Sequence, residues 1–364
     1  MTLSGFLKEK TDLLARNSVT DAETEAWIVL ETVSGMSRAM IRFSMSKALA
    51  ECFSDDIVSR LEDVFRRRAE GEPLAYIVGH APFYDLEFSV GEGVLIPRFD
   101  TEILVETALT SLRVDDLVMP PADAPIPRVF TEAPFTVYDL CTGSGIVGIT
   151  IAHELQKRHI PYKLVMTDIS ETAAFFAKKN AEAILGENAA WTVEIADLWP
   201  ATAAEKAPAS TTEGARGTNT ANPAPNTSRA DIIVCNPPYI TKNEMEELSV
   251  EVREHEPHLA LTDGGDGLSF YKRIFTEIGN YIKDGGVIAV EHGYNQSKDI
   301  RDILPDYITD VVCVKDYGDN DRVTCGRYER PDAAAEPKPA PAGGKDGKTT
   351  RAPGAGGEDN EGNR

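Results

Sequence analysis

The sequence predicts an α/β protein, a parallel sheet flanked by helices and preceded by a small region made only of helices. Two observations carry that prediction. From Phe135 onward, short apolar and β-branched runs alternate with longer segments of helical periodicity, the pattern of a parallel α/β sheet. Before Glu72 the apolar residues recur at steps of three and four, as amphipathic helices require. At 364 residues the chain can hold two or three compact units.

Leu3, Phe6, Leu7, Leu13 and Leu14 mark a first helix. Ala22, Ala26, Val29, Leu30 and Val33 mark a second within 21–33. A third, over about 55–68, puts Ile57, Leu61, Val64 and Phe65 on one face. It ends in Arg66, Arg67 and Arg68, basic residues that complement the helix macrodipole. Gly71, Glu72 and Pro73 stop it. Over 75–95, aromatic and β-branched runs broken by Gly and Asp predict a β-hairpin connector. Strands are predicted at 137–140, 163–167, 231–235, 286–291 and about 308–314, with helices running from a glycine loop to Leu155 and from Ser170 to Leu185. Parallel sheets bind ligands at the carboxyl ends of their strands. Residues 201–228, rich in Ala, Thr, Pro and Asn, read as a flexible surface insertion, and 331–364 as a disordered tail.

Asp and Glu number 59 against 37 Lys and Arg, a net charge of −22. That balance argues against non-specific coating of nucleic acid, which needs many cationic contacts. No apolar run approaches the ~20 residues of a membrane-spanning helix. Lys8, Glu9 and Lys10 interrupt the window where a signal-peptide core would lie. The five cysteines are scattered without a C-x-x-C pair, and His255 and His258 are the only close histidine pair. A reducing cytoplasm, with no zinc cluster and no disulfide framework, is the expectation.

Asp139-Leu-Cys-Thr-Gly143-Ser-Gly145-Ile-Val-Gly148 leaves a predicted strand and opens a helix, in a G-x-G-x-x-G pattern, and Asp168 ends the next strand. An acid there can accept hydrogen bonds from ribose hydroxyls. Asp168 could instead cap the following helix, because Asp168 and Glu171 have capping-box spacing. Asp197 is either a partner for an adenine amino group or an ordinary loop carboxylate. The loop alone indicates only an adenosine-type cofactor.

The sharper signal is Asn236-Pro237-Pro238-Tyr239 at the end of a predicted strand. Two successive prolines lack N–H groups and hold φ near −65°. The Asn236 side-chain oxygen and the Pro237 carbonyl then make two acceptors for a planar NH2 group, with the Tyr239 ring over the same plane. Methylation of an amide or exocyclic amine needs such a grip, because the nitrogen lone pair is delocalised. Positioning of this kind contributes up to roughly 7–11 kcal/mol.

The glycine loop with Asn236-Pro237-Pro238-Tyr239 resembles the S-adenosylmethionine-dependent N-methyltransferases. The segments Glu72 to Gly79, Phe83-Tyr84 and Val94 to Glu102 resemble the protein-(glutamine-N5) methyltransferases that act on peptide chain release factors. So do Glu256-Pro257, Gly264 to Leu268 with Tyr271, Glu291-His292-Gly293 and Asp316 to Arg322. The likeness covers about 1–328, outside the 201–228 insertion. It implies a seven-stranded Rossmann-like methyltransferase domain (97–330) behind a helical substrate-docking domain (1–74) and a β-hairpin linker (75–96). It further implies methyl transfer from S-adenosylmethionine, without a metal, to the glutamine of a Gly-Gly-Gln motif. The cofactor-binding positions it implies are Asp139, Cys141, Thr142, Gly143, Ser144, Gly145, Asp168, Asp197, Leu198 and Asn236. Asn236, Pro237, Pro238 and Tyr239 are the implied substrate-binding positions, with Asn236, Pro237 and Tyr239 catalytic. Two positions depart from the family pattern. Cys141 stands where many relatives have the first loop glycine and is expected to manage without positive φ. Leu198 follows Asp197 where some relatives have tryptophan, which here comes one residue later as Trp199.

A DNA adenine methyltransferase could share both motifs but needs a basic surface and a target-reading domain. A glutamine methyltransferase acting on a ribosomal protein shares the chemistry; Ile96 to Glu102 is more like the release-factor group. A nicotinamide dehydrogenase fits the glycine loop but leaves Asn236-Pro237-Pro238-Tyr239 without a role, and a non-catalytic adenosine-binding module ranks last. The expected partner is a release factor, with no membrane and no direct nucleic-acid binding.

Overall fold

The computed structural model describes residues 1–111, 134–201 and 229–331. The expected insertion, apart from Ala201, and the expected tail, apart from Pro331, lie outside the described residues.

Helices Leu3–Arg16, Ala22–Ser34 and Asp55–Ala69 pack on one another at the amino terminus. The apolar stripes read from the sequence form their shared core, in which Leu3, Phe6, Leu14, Ala26, Leu30, Leu61 and Phe65 are buried. Phe6 meets Phe65 edge-on, ring centres 6.0 Å apart. Thr2 and Ser54 cap the first and third helices through their hydroxyls, satisfying otherwise unpaired N–H groups.

The third helix ends in more than a macrodipole complement. Arg66 stays on the surface with Asp63 and Glu70, but Arg68 is buried. Its Nε and Nη2 donate to Glu25 at 2.6 and 3.1 Å, and Nη2 also to Glu251 at 2.9 Å. Arg68 thereby ties two amino-terminal helices to helix Val250–His255.

The connector differs from the expected hairpin at its start, because Leu74–Val78 is a helix. Pro73 precedes that helix, and Gly79, at φ 83°, ends it. The hairpin proper is β1 (His80–Phe83) paired antiparallel with β2 (Leu86–Ser89). It docks through Asn180, which exchanges hydrogen bonds with the Ser89 backbone and donates to the Ser144 carbonyl in the glycine loop at 2.9 Å.

The main sheet contains β3 (Phe135–Leu140), β4 (Tyr162–Asp168), β5 (Trp191–Ile195), β6 (Ala230–Cys235), β7 (Ile282–Glu291), β8 (Ile308–Lys315) and β9 (Asp321–Tyr328), in the order β5-β4-β3-β6-β7-β9-β8. All five expected strands are present. β5 and β9 were not anticipated. β5 is an edge strand with no buried residue, so it lacks an apolar run. β9 pairs antiparallel with β7 and β8, making the sheet mixed rather than wholly parallel. The chain order reverses between β3 and β6, the switch point where such sheets open a ligand crevice.

Truncating Arg68 leaves Glu25 facing a buried position without its partner. Arg68→Ala is expected to lower stability by about 3 kcal/mol, read as a lower urea midpoint at unchanged slope. An unshifted midpoint would show that the bridge contributes nothing.

Candidate active site

The site follows from strand register. β3 and β6 are parallel neighbours with Leu140 opposite Cys235, so the chain leaves the sheet at Cys141 and Asn236 side by side. A cleft lies at these strand ends, the place where parallel α/β sheets bind their ligands. Asp139, Cys141, Thr142, Gly143, Ser144, Asp168, Asp197, Leu198, Asn236 and Pro238 line it. Gly145, Pro237 and Tyr239 do not line it themselves; each is the chain neighbour of a residue that does. The sequence reading missed Thr101, Val94, Pro257, Leu259 and Phe270, which also line the cleft. The motifs around Thr101 and Pro257 were visible, but nothing in linear spacing assigns them to this wall.

Two carboxylates shape the loop. Asp139 is buried, and its Oδ2 accepts from the Thr142 hydroxyl and from Gly148 N at 2.9 Å. Gly148 is required by that contact, because a Cβ would sit 2.8 Å from Asp139 Oδ2. Asp168 accepts from Gly143 N and Ser170 N, both at 2.9 Å. The helix cap itself is Ser170, whose hydroxyl accepts from Ala173 N, so the capping reading of Asp168 does not hold. Asp168 retains further acceptor sites beyond those two bonds. Burial raises both pKa values, with Asp139 at about 7.

Cys141 corrects a second expectation. It adopts φ 54°, the left-handed region that its family glycine would favour. An L residue pays about 1–2 kcal/mol for that geometry, and the Thr142 N bond to the Thr167 carbonyl at 2.9 Å helps hold the turn. Leu198 is also left-handed, at φ 71°. It faces the cleft, while Trp199 stacks on Tyr281 with ring centres 4.1 Å apart and lies off the wall. Asp197 lines the cleft with one oxygen held by Arg273 at 3.0 Å. Ser144 lines the cleft, but its Oγ is enclosed and has no hydrogen-bond partner among the described residues.

Behind Asn236 lies a polar cluster. Asn236 Nδ2 donates to Thr101 Oγ1 at 3.2 Å. The Tyr239 hydroxyl donates to Glu291 Oε1 at 3.3 Å, and the Tyr271 hydroxyl to the Glu291 carbonyl at 2.6 Å. Burial raises the Glu291 pKa to about 7. Arg322 joins Asp316 at 2.9 Å to Asp100 at 3.1 Å beside this cluster. Gly267, at φ 74°, packs against the Tyr239 carbonyl so closely that no Cβ fits. The glycine motif beginning at Gly264 thus supports the back of the Asn236 turn. Arg98 pairs with the buried Glu256, which also accepts from Ile96 N at 3.2 Å.

Residues 6–79 match the PrmC N-terminal domain family. The chain is 34% identical over 319 residues to the release factor glutamine methyltransferase of Fusobacterium nucleatum subsp. nucleatum, covering 87% of this chain and 77% of that protein. To the release factor glutamine methyltransferase of Bacillus subtilis it is 34% identical over 306 residues, 83% of this chain and 90% of the other. To that of Haemophilus influenzae it is 30% identical over 325 residues, 88% and 96% respectively.

The raised carboxyl of Asp139 has a definite consequence for stability. Unfolded, it ionises near the usual carboxylate value of about 4; folded, it resists ionisation to about 7. Its stabilising contribution is therefore complete below about pH 4 and lost as pH rises through about 7. Asp139→Asn is expected to flatten the fall in melting temperature across that window. A slope equal to that of the parent would contradict the assignment.

Proposed function

The chain belongs to the release factor glutamine methyltransferase family, and on that premise we propose that it transfers a methyl group from S-adenosylmethionine to the side-chain N5 of the glutamine in a release factor's Gly-Gly-Gln motif. The observation that carries this reading is that Asn236 lines the same cleft as the glycine loop and Asp168. S-adenosylmethionine, when bound, supplies an electrophilic methyl on a sulfonium. The glycine loop from Cys141 to Gly145 would cradle it, and Asp168 would accept hydrogen bonds from its ribose hydroxyls. Asp197 and Leu198 line the adenine end.

The residues of the Asn236 turn act on the amide. Asn236 Oδ1 and the Pro237 carbonyl accept the two amide hydrogens of the incoming glutamine. That grip orients the nitrogen toward the methyl carbon and tilts electron density onto it. Pro238 closes the wall beside it. The methyl would pass from sulfur to the held nitrogen with release of a neutral thioether, and the proton lost from nitrogen would go to water. The amino-terminal helical domain docks the protein substrate, and the Arg68 bridge to Glu251 couples it to the catalytic portion. No helix among the described residues is long and apolar enough to cross a membrane.

Asn236→Ala is expected to remove turnover on a release factor while changing S-adenosylmethionine affinity little; Asp168→Ala is expected chiefly to weaken that affinity. Calorimetry and a methyl-transfer assay separate the two. Near-normal turnover in Asn236→Ala would contradict the amide grip.

A further inference from the structure

Asn180 sits in helix Glu171–Ile184 and is 1% exposed. A buried amide needs hydrogen-bond partners, and the three that Asn180 has are all backbone groups. Its Oδ1 accepts from Ser89 N at 2.7 Å, and its Nδ2 donates to the Ser89 carbonyl at 3.0 Å. The same Nδ2 donates to the Ser144 carbonyl at 2.9 Å. An amide nitrogen carries two protons, so both are used. Ser89 presents a donor and an acceptor together, and only one rotation of the Asn180 amide satisfies both.

The two segments that meet at Asn180 both run into the cleft wall. Ser89 ends β2, and the chain beyond it reaches Gly93, Val94 and Leu95, which line the cleft. Ser144 lines it from the glycine loop, in a turn closed by Gly145 N donating to the Thr142 carbonyl at 2.8 Å. Ala173, Ala177 and Asn180 recur at helical spacing and share one face. Ala173 joins a buried cluster with Val90 and Val94, and a Cβ on Gly145 would lie 3.4 Å from Ala177 Cα. The small side chains admit both segments to that face, and Asn180 ties them together.

We propose that Asn180 is a positioning residue for cofactor binding, joining the linker beyond the hairpin to the glycine loop so that the linker helps set the affinity of the cleft for S-adenosylmethionine. This rests on the S-adenosylmethionine reading above. Asn180 does not line the cleft; it acts through the segments it joins. Without its amide, the Ser89 N–H and two carbonyls lose partners in a place that water does not reach readily, and leaving such groups unpaired is costly. The segments then shift toward other partners, and the cleft wall moves with them. Coupling between sites is reciprocal, so a cofactor held by the loop steadies the end of the hairpin.

The test uses the full chain and S-adenosylmethionine alone, with calorimetry on the parent protein first. If the parent does not bind S-adenosylmethionine, the functional reading fails, and with it this inference. If it binds, Asn180→Ala and Asn180→Asp are expected to weaken Kd about tenfold or more. The aspartate keeps the acceptor for Ser89 N but sets an oxygen against two carbonyls. Leu61→Ala, in the amino-terminal core, controls for general destabilisation: it should lower the melting temperature and leave Kd within about twofold. Hydrogen exchange supplies a second readout. In the parent, S-adenosylmethionine should slow exchange of the Ser89 amide by more than it slows helix Ala22–Ser34, and Asn180→Ala should abolish that difference. A Kd within about twofold of the parent in folded Asn180→Ala would overturn the proposal. So would a Leu61→Ala protein weakened as much as the Asn180 variants, or a parent Ser89 amide whose exchange ignores the cofactor.

Discussion

Parallel pairing of β3 with β6 is the constraint on which the rest of the molecule depends. Leu140 opposite Cys235 makes the glycine loop and the Asn236 turn leave the sheet as neighbours. Neither segment has a complete site alone. The loop offers backbone and small side chains to a cofactor, and the turn offers fixed acceptors to an amide. Side-chain alternation along a strand makes a one-residue slip exchange the two faces, so the register also decides which residues of each strand meet the helices.

Much of the polar structure around the cleft holds this arrangement. Asp139 joins the start of the loop to the first turn of the helix beyond it through Thr142 and Gly148. Asp168 pins Gly143 from the neighbouring strand. Asn180 connects the same loop to the hairpin. On the other side, Gln296 donates to the Tyr239 carbonyl at 3.1 Å, and Gly267 allows a close approach to that same carbonyl. Both halves of the site are thus held by residues outside their own motifs, as precise positioning requires.

The sequence made the fold class legible because β3, β4, β6 and β7 carry nearly continuous apolar runs, as strands covered on both faces do. It hid β5 because Trp191 to Ile195 form an edge strand, and β9 because Asp321 and Arg322 open it with charge. Asn236 and Asp168 were legible because their types and neighbours have chemical meaning at short range. Thr101 was not, since its contact with Asn236 exists only after residues 135 positions apart are brought together. Arg68 shows a further limit. A basic helix end satisfies the macrodipole rule, and only the packed structure reveals its bridge to Glu251. The Cys141 expectation failed for a related reason: residue type disfavours positive φ, yet the hydrogen bonds of the loop prevail.

The central claim is that the clasp at Asn236 aims a glutamine amide into the cofactor cleft. Incubating the full chain with isotopically labelled S-adenosylmethionine and purified release factors, with ribosomal proteins in a parallel reaction, tests it most directly. Fragmentation mass spectrometry then locates the label. The account predicts one methyl on the side-chain nitrogen of the release factor's Gly-Gly-Gln glutamine. Label on another residue type, or on ribosomal protein alone, would contradict it.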